Sequence, residues 1–158
     1  PSAPAVPVPS VKAVTPEGFD FGHYPLMSKS IGLIDAFKVN SIEICLKRES
    51  ILNNNINFDE SFGLGTTLPS GEEFIFITDC LKKNLKIQYY PLATVVHPKL
   101  SSGLDFFSTQ EKIFAKKYMF VRVTGRKFSL LSIMFFIKKI PALLKSKKLI
   151  FFINHFFK

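Results

Sequence analysis

From Asn40 to Lys47 the chain alternates, with Ile42, Ile44 and Leu46 on one side and Ser41, Glu43, Cys45 and Lys47 on the other. A period of two with β-branched residues predicts a strand. Ahead of it, Ser30 to Phe37 predicts a short helix; after it, Glu49 to Asn53 reads as one helical turn. The Asn53-Asn54-Asn55 cluster stops that turn, because asparagine favours turns and tolerates positive φ. Phe74, Ile77 and Leu81 then recur at helical spacing, and Asn84 supplies a left-handed cap after Lys82 and Lys83. Lys86 to Tyr90, KIQYY, predicts a strand ended by Pro91, and Ala93 to His97, ATVVH, a second extended piece ended by Pro98. Strand, loop, helix and strand in that order is an α/β pattern.

Both ends differ in kind from this middle. Residues 1–16, PSAPAVPVPSVKAVTP, hold five prolines among small residues. Their fixed φ and missing donors predict a loop or linker over 1–18. At the other end, Ser108 to Tyr118 predicts a helix, Gly125 a break, and Phe128 to Ile140 a very apolar helix stopped before Pro141. A last helix is expected from about Ala142 to Phe157. These readings divide the chain into 1–18, a middle segment 19–107 and a helical tail 108–158. No apolar run reaches the roughly 18 residues a membrane span needs, so the tail helices suit lying on a bilayer better than crossing one.

Charge sharpens the division. The 158 residues carry a net charge of +9, yet from Lys112 to Lys158 there are twelve Lys/Arg and no acid. The other nine cations face all twelve acids, which leaves residues 1–111 at −3. A basic tail implies an anionic partner, either nucleic acid or an anionic membrane leaflet. A hydrophobic fraction of 47% with 18 Phe excludes a disordered chain. Cys45 and Cys80 have no CxxC spacing and no nearby His, so neither a zinc site nor a disulfide framework is signalled. Reduced thiols fit a cytosolic compartment. Because the chain opens at Pro1 without a Met, a fragment of a longer polypeptide is the expectation.

The chemistry concentrates in Phe58 to Phe74, FDESFGLGTTLPSGEEF, where four acids, three glycines and a proline precede an apolar run. With Ser70 as N-cap, Glu73 sits at N3, and the two form a capping box that satisfies otherwise unpaired backbone N–H groups. The helix dipole favours both Glu72 and Glu73 there. The same spacing also serves chemistry, since a carboxylate at a helix N-terminus stays ionised and can accept a proton. Gly63 and Gly65 permit positive φ and close backbone approach, for a site-lining loop or for a tight turn alike.

The ordered series NSIEICLKR, FDESFGLG, SGEE, a helix, then KIQYYP and VVH resembles the second half of a family-2 glycosyltransferase domain, over roughly Asn40 to Pro98. Tyr89 or Tyr90, Pro91 and His97 match its closing Tyr-Pro-His pattern. The resemblance implies the C-terminal part of an A-type (GT-A) nucleotide-diphospho-sugar transferase sheet, followed by basic amphipathic helices. It implies an inverting transfer of sugar from a nucleotide-sugar to a glycan or lipid-linked acceptor, in cell-surface polysaccharide synthesis. The second acid of the family's Gly-Glu-Asp is the general base; position by position that role falls on Glu73, with Glu72 beside it. This chain has Glu where the family has Asp, one methylene longer. Gly63 and Gly65 would line the acceptor loop, Asp59 and Glu60 would hold it through backbone donors, and His97 would ligate a divalent metal, Mg or Mn. The Asp-x-Asp that shares that metal is absent from the 158 residues, so this chain alone is expected not to transfer sugar.

In the tail, KKYMFVRVTGRKF, FFIKKI and LLKSKKLIFFINHFFK interleave cations with long aliphatic and aromatic residues. One reading is helices packed on the rest of the protein with lysines in water; the other is an interfacial anchor on an anionic membrane at the cytoplasmic face. Nucleic acid is not the expected partner, because the aromatics are not spaced on a polar sheet for base stacking. The rival to an enzyme is a non-catalytic basic membrane-binding or interaction module.

Overall fold

The computed structural model describes residues 8–98, 106–126 and 129–157. Residues 1–7 of the proline-rich segment, Phe128 at the expected helix start, and Lys127 and Lys158 of the basic run lie outside the described residues. The chain is mixed α/β. Strand β1 (Val8–Val14) is followed by β2 (Lys29–Ser30), helix α1 (Leu33–Ala36), a 3-10 turn (Ser41–Glu43), α2 (Arg48–Asn53), α3 (Glu72–Lys82), β3 (Ile87–Val96), α4 (Gln110–Thr124), α5 (Leu130–Lys145) and α6 (Leu149–Phe156). It forms two compact units, residues 1–58 with 76–100 and residues 59–75 with 101–158.

The first unit holds a three-stranded sheet in the order β1-β3-β2, with β1 parallel and β2 antiparallel to β3. Part of the proline-rich opening, read as a loop over 1–18, is therefore a strand. Pro9 is tolerated because β1 lies at the sheet edge, where a missing N–H breaks no inner ladder; its carbonyl still accepts from Cys45 N at 2.9 Å. Pro91 does not end its strand either. Around it the β1–β3 register jumps, from Ser10 opposite Tyr89 to Lys12 opposite Ala93, so the proline falls where pairing is already interrupted. Val8, Val11, Ala13, Ile87 and Tyr89 build the core with Phe76, Ile77 and Cys80 of α3. Burial pushes the Cys80 thiol up to about 11.

The alternating stretch Asn40 to Lys47 is not a strand; only Ile44 makes an isolated bridge, to Ser10. Glu43, placed on the polar side by the pattern, turns inward instead. Its carboxylate accepts from Asn40 N at 3.2 Å, Asn40 Nδ2 at 2.7 Å and the Tyr24 hydroxyl at 2.7 Å, and the residue is 3% exposed. Local side-chain to backbone bonds of this kind compete with strand pairing and win here. Asn55 and Asn84 do adopt left-handed φ, +51° and +58°, and stop α2 and α3 as the sequence predicts.

In the second unit, α4 is capped by Thr109, whose hydroxyl accepts from Lys112 N, and ends at Gly125 with φ +69°. Phe120, wholly buried, meets Phe74, Phe135 and Phe156 at centroid distances of 6.4, 5.4 and 6.2 Å. Helix α5 does not stop before Pro141 but runs through it to Lys145. The proline removes the donor that would reach the Ile137 carbonyl, and both residues are exposed, so the lost bond is not a buried one.

Candidate functional site

The expected site residues Asp59, Glu60, Gly63, Gly65, Glu72 and Glu73 all belong to the second unit. Asp59 starts the loop. Its Oδ1 accepts from Ser61 N at 3.2 Å and its Oδ2 from Arg122 Nε at 2.9 Å, with Phe62 N bonding its carbonyl at 3.0 Å. Burial would raise this carboxyl, but the Ser61 amide and the Arg122 guanidinium hold it below the usual range. Glu60 is exposed. From Phe62 the loop closes on itself: Gly63 N donates to Leu68 O at 2.9 Å, and the Thr66 hydroxyl donates to Gly63 O at 2.9 Å while accepting from Leu68 N at 3.1 Å. Gly63 and Gly65 sit at φ +114° and +87°. At Gly63 a Cβ would lie 3.3 Å from Glu72 Oε1, so the glycine is what lets the loop backbone rest against that carboxylate.

The cap of α3 falls one residue later than the sequence suggests. Ile75 N bonds Gly71 O at 3.1 Å, which makes Gly71 the N-cap and puts Glu73 at N2 rather than at the N3 position of a capping box with Ser70. Gly71 has φ +111°, and a Cβ there would meet Met119 Sδ at 3.0 Å. Glu72 and Glu73 thus open the helix at its first two positions, both half-buried.

The two carboxylates are not equivalent. Oε2 of Glu72 is buried without a hydrogen-bond partner. Burial raises its carboxyl above the ordinary value and the neighbouring Glu73 charge adds to this, while Lys116 and the helix-start backbone oppose it. Lys116, from α4, lies one helical turn before Met119 and Phe120, the residues that touch Gly71 and Phe74. Burial pushes its ammonium down, against the pull of Glu73 and Glu72. Lys116, Arg122 and Met119 were not singled out by the sequence. The signal available was the i, i+3, i+4 spacing of Lys116, Met119 and Phe120, which sets them on one face once Phe120 is taken as core.

A raised carboxyl has a stability consequence of definite sign. Between the unfolded and the raised folded value the native state binds more protons than the unfolded state, so stability falls as pH rises through that window. We expect Glu72→Gln to remove this slope. Urea midpoints from pH 4 to 7 should decline less for the variant than for the wild type, and parallel profiles would show that Glu72 titrates normally.

His97 belongs to the other unit, just past β3. Its Nδ1–H donates to Pro98 O at 2.7 Å, its backbone N bonds Val14 O at 2.8 Å, and its ring stands edge-on to Phe21. One imidazole does not make a metal site, and no three His, Cys, Asp or Glu come together as candidate ligands among the described residues. In the second unit the glycine loop lies against a carboxylate, Glu72, that has one oxygen unpaired by protein. Comparison with protein-family models, with curated proteins and with solved structures returns no match.

Proposed function

We propose that this chain is the acceptor-side portion of an inverting family-2 glycosyltransferase of the GT-A fold, working with a donor-binding portion that supplies the nucleotide-sugar and its metal. The observation that carries the reading is the Glu72-Glu73 pair at the start of α3, with the Gly63 backbone against Glu72 and one Glu72 oxygen free of protein donors. The motif series FDESFGLG, SGEE, KIQYYP and VVH supports it in the same order along the chain.

In this reading an acceptor hydroxyl, on a glycan or lipid-linked sugar, hydrogen-bonds to the carboxylate pair. As its oxygen attacks the anomeric carbon, the base takes its proton, the bond to the nucleoside diphosphate breaks, and the configuration inverts. Glu73 holds the position of the family's base. Glu72, whose carboxyl burial raises above its ordinary value, is the second group able to accept the proton. Lys116 keeps two adjacent carboxylates tolerable in a half-buried place.

The test is transfer by the polypeptide that joins this chain to its donor-binding portion. Glu73→Gln should lower turnover at least about a hundredfold, as loss of a general base does, with donor binding and folding unchanged. Full transfer by both Glu73→Gln and Glu72→Gln would sink the proposal. Turnover by the 158-residue chain alone would overturn the claim that a separate donor portion is needed.

A further inference from the structure

Helix α5 is apolar on the side it shows to solvent. Leu130 is 73% exposed, Ile137 is 60% exposed, and Ile133, Met134 and Leu144 are exposed as well. Their spacing, i, i+3, i+4, i+7 and i+14, sets all five within an arc of about 100° on one helix face. Pro141 joins them at i+11, exposed like its neighbours. The opposite face is already occupied within the second unit: Ser132 and Leu143 are wholly buried, and Lys139 lies over the Phe106 ring at 4.9 Å and the Phe135 ring at 5.9 Å. The exposed stripe is thus surplus to the core.

What borders the stripe is of one sign. Lys138 and Lys145 lie along one edge of it on α5, both exposed, and Lys147 and Lys148 follow in the turn to α6. That turn is fixed: Lys147 takes φ +57°, and Lys147 N and Lys148 N bond Leu144 O and Leu143 O at 3.0 Å each. No acid occurs anywhere from Lys112 to Lys158. An apolar stripe whose neighbouring charges on α5 and in the following turn are all cationic matches the boundary of an anionic bilayer, where the acyl region takes the side chains and the headgroups take the lysines. Crossing is not at issue, since no helix among the described residues is long and apolar enough to span a membrane.

We infer that the Leu130/Ile133/Met134/Ile137/Leu144 face of α5, with Lys138, Lys145, Lys147 and Lys148, seats the chain in the plane of an anionic lipid surface. The helix lies parallel to the bilayer with Pro141 on the lipid side. This holds whether or not the chain takes part in sugar transfer, and its test involves no turnover.

The test is co-sedimentation of the 158-residue chain with vesicles of phosphatidylcholine alone and of phosphatidylcholine mixed with phosphatidylglycerol. The wild type should partition into the anionic vesicles at least about tenfold better than into the neutral ones. Ile133→Glu with Ile137→Glu should lower that binding at least about tenfold, with the helical signal and urea midpoint unchanged. Neutralising the four lysines to Gln should bring anionic vesicles down to the neutral level, roughly fivefold per lysine until that level is reached. Should the double variant lose its helical signal, Leu130→Gln and Ile137→Gln, at sites more than half exposed, replace it and should lower binding in the same way. Failure of the wild type to bind either vesicle, or binding that ignores the stripe variants, overturns the inference. So does a dimer sensitive to these substitutions with no vesicle binding, which would assign the face to a second copy of the chain.

Discussion

Replacing Glu43 by alanine should lower the stability of the first unit by about 3–5 kcal/mol, because it removes one side chain and orphans several donors. The carboxylate is 3% exposed and accepts three hydrogen bonds, from Asn40 N, Asn40 Nδ2 and the Tyr24 hydroxyl. Without it the 3-10 turn loses its cap, and the Tyr24 hydroxyl is left with its long contact, 3.3 Å, from Ala13 N among the described residues. Tyr24 and Asn40 are half-buried, a donor left unpaired costs up to about 1–3 kcal/mol, and the bonds to a charged acceptor are the stronger kind. Glu43→Gln retains an acceptor oxygen and should lose markedly less. The measurement is urea denaturation followed by tyrosine fluorescence, available because the chain has four Tyr and no Trp. A second readout is specific to the contact. Burial first, then the Glu43 hydrogen bond, raises the Tyr24 phenol far above the ordinary tyrosine value. In Glu43→Ala that titration should move back down. A loss below about 1 kcal/mol, with the phenol unmoved, would show that the carboxylate does not organise this corner.

Gly71→Ala should cost a comparable amount in the second unit, about 2–5 kcal/mol, and for two separable reasons. At φ +111° an alanine is strained whatever surrounds it. The new Cβ would also stand 3.0–3.3 Å from three side-chain atoms of Met119, which is 2% exposed and unable to move into solvent. A double-mutant cycle with Met119→Ala separates the two: the packing part should disappear in the pair and the backbone part should remain. Additive losses would mean that Met119 does not press on the cap. Since Gly71 sets where α3 begins, its variant should also displace Glu72 and Glu73.

How much of this was legible in the sequence depends on whether the deciding force was local. Asn55, Asn84 and Gly125 could be read as terminators because a positive φ is a property of the residue itself. The helical spacing of Phe74, Ile77 and Leu81 likewise yielded α3. Where tertiary contacts decided, the pattern misled. Ser41 to Lys47 alternates as a strand should, yet Glu43 found three donors off the strand path. Pro9 read as part of a loop and Pro91 as a strand end, but one lies on a sheet edge and the other in a break of register, and neither position asks for an N–H. Pro141 lies on a helix face that no buried partner required to be intact. The candidate site was legible as a cluster because Asp59 to Glu73 is continuous in sequence. Its outer members were not: Lys116 and Arg122 come from 43 or more residues further on and are joined to it only by folding. The capping position was missed by one residue because Ser70 and Gly71 are both good caps, and the positive φ of Gly71 with the close approach of Met119 is not written in the local pattern.

The second unit is assembled from two stretches of chain, 59–75 and 101–158, clasped by Asp59 to Arg122, by Gly71 against Met119 and by Phe74 against Phe120. That has a bearing on heredity. A recombination that exchanged only the tail would deliver an α4 whose methionine, arginine and phenylalanine no longer faced the acid, glycine and ring they fit. The loop and the tail must therefore vary together across any lineage that keeps this unit, and paired changes at 59 and 122 or at 71 and 119 are where that shared descent would be written.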